Sequence, residues 1–157
     1  MHSYIFQIHT EPIVPEDYPS EDKIAESSQD FVDYATELED ESRSAAIAYL
    51  FKFLYESEMF AINDDETATY IGGFEKALKR WAEDIKDYAN QINTKNILNF
   101  RSRYHLSKAI NNPLDKSYLF ITSDSDSAER SEALYELIAT MKPGDRLYIG
   151  GVYDYHF

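Results

Sequence analysis

Apolar and polar side chains alternate at the start of the chain. Tyr4, Phe6 and Ile8 share one face while Ser3, Gln7 and His9 share the other, which predicts a half-buried strand. Pro12, Pro15 and Pro19 follow. Proline has no amide hydrogen and a fixed φ, so residues 11 to 20 should form an extended connection. From about Glu21 the period changes. Ile24, Phe31, Ala35 and Leu38 fall in one arc at about 100° per residue, and Asp22, Glu26, Asp30, Asp33, Glu37 and Asp40 fall opposite. That predicts an amphipathic helix with an entirely acidic back. The next stretch, SAAIAYLFKFLYES, is apolar nearly all round and predicts a core helix entered through Asp40 or Ser42 as a cap. In MFAINDDETATYIGG a polar centre between two short runs predicts a small hairpin.

Phe74, Leu78, Trp81, Ile85, Tyr88 and Ile92 recur at alternating spacings of four and three, which fixes a helix from about Gly73 to Asn93, packed on a sheet. Residues 98 to 106 alternate instead, with Leu98, Phe100, Tyr104 and Leu106 against Asn99, Arg101, Arg103 and His105, and this favours a strand. A helix there would stack Arg101, His105 and Lys108, so a basic face exists either way. YLFITS predicts a strand and DSDSAERSEALYELIATM a helix entered by a capping box of Asp126 and Glu129. KPGD turns the chain into a final strand, RLYIGGVYDYHF, bent at Gly150 and Gly151. Strands at both ends with helices between predict one α+β domain over residues 1 to 157. The expected architecture has two layers, a mixed sheet of about three to five strands against a helical layer. The last strand, helix and strand would cross over right-handedly if the two strands were parallel neighbours.

Composition sharpens this picture. A chain of 157 residues with 43% hydrophobic residues, 13 Tyr and 9 Phe can bury a proper core, despite a formal net charge of -14. The absence of cysteine removes disulfides, thiol nucleophiles and cysteine zinc sites, and points to a reducing, cytoplasmic setting. No apolar run approaches the ~20 residues of a membrane span. The charge is uneven. Residues 11 to 42 carry 12 acids against the single base Lys23, whereas residues 93 to 118 carry five bases against Asp115 alone.

Two charged surfaces therefore stand out. The acidic face of Asp22, Glu26, Asp30, Asp33, Glu37 and Asp40 would present one carboxylate per turn, about 5.4 Å apart. That spacing resembles successive phosphates, so such a helix could imitate a nucleic acid and occupy a partner with a basic surface. The basic island of Arg101, Arg103, His105 and Lys108 could bind anions, since guanidinium forks match phosphate and carboxylate oxygens. Phe100 and Tyr104 would suit single-stranded nucleic acid only if they shared a face with the arginines, which the strand reading denies. Solvation or pairing of the two charged segments with each other competes with both ideas.

Conventional chemistry is sparse. The five glycines form no phosphate cradle. Asp124 and Asp126 end an apolar strand where aspartyl nucleophiles and magnesium ligands can sit, but helix capping explains them equally. Asp154 and His156 lie two apart in the last strand, too far for a dyad without a bend. His9 could meet His156, with Glu11 or Asp154, if the first and last strands ran parallel. No cofactor is implied. The preferred expectation is a non-enzymatic interaction or modulator protein acting through its acidic helix, with direct duplex nucleic-acid binding and membrane binding disfavoured. The alternatives are a small metal-dependent or carboxylate hydrolase and a phosphate or nucleic-acid binder.

Overall fold

The computed structural model describes residues 2–28, 32–122, 125 and 127–156. Six strands and five helices follow in the order β1 (His2–His9), α1 (Glu21–Ser27), β2 (Tyr34–Glu37), α2 (Asp40–Glu56), β3 (Phe60–Ile62), β4 (Thr67–Tyr70), α3 (Phe74–Gln91), α4 (Phe100–Asn111), β5 (Leu119–Thr122), α5 (Glu132–Thr140) and β6 (Arg146–His156). A 3-10 turn at Pro15–Asp17 interrupts the proline-rich connection. The strands form one mixed sheet in the order β3-β4-β6-β1-β5, an α+β fold with one strand more than the sequence predicts. The extra strand is β2, which joins β6 off this path.

Strand β6 organises the sheet because both its edges are used. β1 lies antiparallel along one edge, while β4 takes the first part of the other edge and β2 the last. Between Phe6 and Ile8 of β1 the register shifts from Val152 to Ile149, so β6 carries an extra residue around Gly150 and Gly151. This bulge changes which alternate residues face each way. Leu147, Ile149 and Val152 join one core with α2 and α5, whereas Tyr153 and Tyr155 turn into a second core with Ile5, Ile24, Val32 and Ala35. A side chain at Gly150 would collide with the amide of Gln7, whose Oε1 accepts the Gly151 N–H at 2.9 Å.

The gap between β2 and β4 leaves carbonyls of β6 without strand partners. Arg43 on α2 supplies the missing donors, with Nη2 3.0 Å from the Ile149 carbonyl and 2.9 Å from that of Gly150. Glu66 holds the guanidinium from its other side at 2.7 Å.

Several local expectations fail, most of them because a tertiary partner wins, and α2 is entered through Glu39 rather than capped by Asp40 or Ser42. The helix begun at Glu21 stops at Ser27, and residues 34–37 pair as a strand with Tyr153 to His156. Helical residues there would leave the end of β6 unpaired; the Ser27 hydroxyl already bonds back to the Lys23 carbonyl at 2.7 Å. Residues 100–111 form a helix rather than a strand, with Asn99 as N-cap accepting from the Arg101 N–H at 2.9 Å. Helix α5 starts at Glu132 rather than with a capping box, since Glu129 exchanges backbone hydrogen bonds with Phe120. The condition for a right-handed crossover between the last two strands is not met, because β1 lies between β5 and β6 and is antiparallel to β6. Asp30, Phe31, Asp124 and Asp126 lie outside the described residues.

Helices α3 and α4 form a hairpin that touches the body only near its root. Phe74, Ala77 and Trp81 pack on the main core, and the Trp81 indole donates to the Ala109 carbonyl at 2.6 Å. No side chain of either helix is buried. The clean periodicity of α3 thus marks a helix, but most of its stripe meets α4 or solvent rather than the sheet.

Candidate functional site

The broken helix redistributes the acidic face without dispersing it. Asp22 and Glu26 lie on α1, Asp33 precedes β2, Glu37 ends β2, and Asp40 opens α2, all of them exposed. A hydrogen bond draws these elements together, from the Glu37 N–H to Oε1 of Glu21 at 2.7 Å. Glu37, Glu39 and Asp40 also line one shallow surface with Tyr18 and Arg43. The carboxylates therefore form a patch rather than a ruler, and the phosphate-like spacing expected of a continuous helix is absent. Its charge is felt inside the protein. Burial first, then the charges of Glu37, Tyr18 and Glu21, push the Tyr153 phenol to higher pKa, while its hydroxyl donates to the Pro19 carbonyl at 2.6 Å.

The basic island divides into two pairs. Lys108 forms an ion pair with Asp115 at 2.7 Å, and the His105 ring stacks on Tyr88 of α3 at 5.9 Å. Arg101 and Arg103 are exposed and make no ion pair among the described residues. Among those residues, too, no ion pair joins residues 22 to 40 to residues 99 to 108. The acidic patch meets the first turn of α2, whereas Phe53 and Ser57 at the far end of α2 share a cleft with Lys76 and Trp81 at the root of the hairpin. Seventeen residues of helix span about 25 Å between them. Among the described residues, then, the two charged segments do not neutralise each other.

The histidines and carboxylates proposed for chemistry do not assemble as expected. Because β1 and β6 are antiparallel, His2 faces His156 while His9 faces Tyr148, which puts His9 and His156 roughly 23 Å apart along the strands. Asp154 and His156 form no dyad. Asp154 lies 3.1 Å from Nδ1 of His2, and Nδ1 of His156 lies 3.4 Å from Asp33. The Tyr34 ring stacks on His156 at 5.8 Å, completing a cluster that clasps the ends of β1, β2 and β6. His2 was the residue sequence reasoning missed, because only the antiparallel register reveals its neighbour. Among the described residues no three histidine, aspartate or glutamate side chains converge to hold a metal.

A concave site lies elsewhere. Strands β1 and β5 are parallel, so their carboxyl ends coincide near His9 and Thr122, and a cleft of about 510 Å³ opens beyond them. Ile13, Lys23 and Ser125 line it together with Gln7, whose amide Nε2 donates to the Asp17 carbonyl at 3.0 Å and so pins the proline-rich connection over the sheet. Nδ1 of His9 accepts from the Glu11 N–H at 2.9 Å, which places the neutral ring's proton on Nε2. The volume suits a small molecule. Glu11, Glu16 and Asp17 also line it, so the cleft borders the acidic patch.

No helix among the described residues is long and apolar enough to cross a membrane. No known family, curated protein or solved structure matches this chain.

Proposed function

We propose that the protein is a non-catalytic binding or modulator protein that captures a partner with a basic surface through its acidic end. The observation that carries this reading is the gathering of exposed carboxylates from α1, β2 and the start of α2. Over residues 11 to 42 they outnumber bases twelve to one. Folding alone gives no reason to collect like charges, since they repel and gain nothing from burial. Asp22, Glu26 and Glu37 are without side-chain ion pairs among the described residues, so their fields are available to an outside cation. Such a surface accelerates encounter with a positively charged partner and enforces its orientation. It would serve an inhibitor or accessory factor of a nucleic-acid-binding protein, competing for that partner's basic surface as a compact negative patch.

The test is affinity capture from a cell lysate by the immobilised chain, with the bound proteins identified by mass spectrometry. Wild-type protein should retain basic proteins in a salt-sensitive manner, and the triple variant Asp22→Lys, Glu26→Lys, Glu37→Lys should lose them. An identical bound set for both would remove the proposal.

A further inference from the structure

The outward face of α4 meets the requirement that a strand at this position would violate. Along a helix Phe100 and Tyr104 lie one turn apart, with Arg103 about 60° to one side and Arg101 about 100° to the other. The two rings stack at 5.7 Å with planes 29° apart, and both remain largely open to solvent, Phe100 at 72% and Tyr104 at 47%. Helix α3 covers the opposite side, where Trp81 reaches the Ala109 carbonyl and Tyr88 stacks on His105. The two rings thus face solvent side by side, flanked by the exposed Arg101 and Arg103, which lie about 160° apart around the helix.

We propose that this face is a binding platform for single-stranded nucleic acid, separate from the acidic surface. Each base stacks on an aromatic ring and the neighbouring phosphates are held by Arg101 and Arg103. Charge complementarity selects the occupant: residues 93 to 118 carry a local net charge of +4, and the ligand must supply both negative charge and flat π faces. Duplex is disfavoured because its bases are paired and its stack is closed to side-chain rings. Repulsion by the -14 chain does not veto this. The acidic end and the root of the hairpin lie at opposite ends of α2, which is about 25 Å long, more than two Debye lengths at 0.1 M salt.

Fluorescence anisotropy with labelled 15-nucleotide single strands, oligo(dT) and its RNA counterpart, tests the platform at about 50 mM salt. Saturable binding is expected, weakening with salt by a log-log slope near -1.4, about -0.7 for each of two phosphate contacts. Phe100→Ala and Tyr104→Ala should each weaken it about tenfold, while Phe100→Trp restores it. Arg101→Glu with Arg103→Glu should flatten the slope. All these side chains are exposed, and an unchanged circular dichroism melting curve confirms that each variant folds. Three results would overturn the proposal: no binding at 50 mM salt; binding indifferent to the ring substitutions or matched by heparin, which has charge but no bases; or a wild-type dimer dissolved by the same substitutions, which would assign the face to a second copy of the chain.

Discussion

Tyr153 and Tyr155 sit two apart on β6, both turned into the core beneath α1, where burial favours their neutral phenols. For Tyr155, burial outweighs an opposing hydrogen bond with Ser3 and pushes the pKa from 10.0 up to about 12. A raised pKa means that the native state holds a proton which the unfolded chain releases. Stability is therefore complete below pH 10 and falls as the pH rises toward 12, by up to about 3 kcal/mol from this residue. Urea unfolding between pH 8 and 12 should show that decline, and Tyr155→Phe should make it shallower while costing about 1 kcal/mol at neutral pH. At the same scale, hydrophobicity alone is a poor guide to burial here. Leu98 is 89% exposed and Leu50 is fully buried, although both are leucines within helical or turn-rich sequence. Leu98→Ser should change stability by less than about 0.5 kcal/mol and Leu50→Ala should cost about 2–5 kcal/mol in the same assay. Reading Leu98, Phe100 and Tyr104 as one buried face led to the strand assignment. The sequence contains no local sign that these side chains face water.

Elements were legible where their signal was local. The heptad-like stripe of α3 and the paired glycines of β6 produced the elements they predict, and the alternation at Tyr4, Phe6 and Ile8 produced a strand, though one buried on both faces rather than half-buried, with Ile5 in the second core. Strand β2 was not legible, because its reason lies more than a hundred residues away in the unpaired edge of β6. The same holds for Arg43. Nothing in SRSAAIAYLF announces that its arginine closes the gap between β2 and β4 by donating to the carbonyls of Ile149 and Gly150. Removing those donors leaves the Ile149 and Gly150 carbonyls without the guanidinium and leaves Glu66 with only the Ser44 hydroxyl, which donates to its Oε1 at 2.6 Å. Arg43→Met should therefore cost about 2–3 kcal/mol. Arg43→Lys should recover only part of this, since an ammonium lacks the planar fork that reaches carbonyl and carboxylate together. Chemical denaturation of the two variants measures both numbers.

Across the whole molecule the defining property is polarity of charge: a crowded acidic end at the start of α2, and beyond its other end a hairpin carrying Arg101 and Arg103 on its open side. The imbalance was legible from residue counts, but its layout was not, since a continuous acidic helix and a patch assembled from three elements share one composition. Crowding like charges should be costly at low salt. Raising ionic strength from about 20 to 200 mM should increase Tm by a few degrees, and the triple lysine variant at Asp22, Glu26 and Glu37 should be at least as heat-stable as wild type. A surface that can be reversed without loss of stability is one kept for something other than folding. The most direct test of this layout is solvent paramagnetic relaxation measured by NMR with a cationic and an anionic nitroxide of equal size. Amides of residues 20–28 and 33–41 should relax faster with the cationic probe, and those of residues 99–104 faster with the anionic one. Equal preference for the cationic probe at both ends would contradict the account.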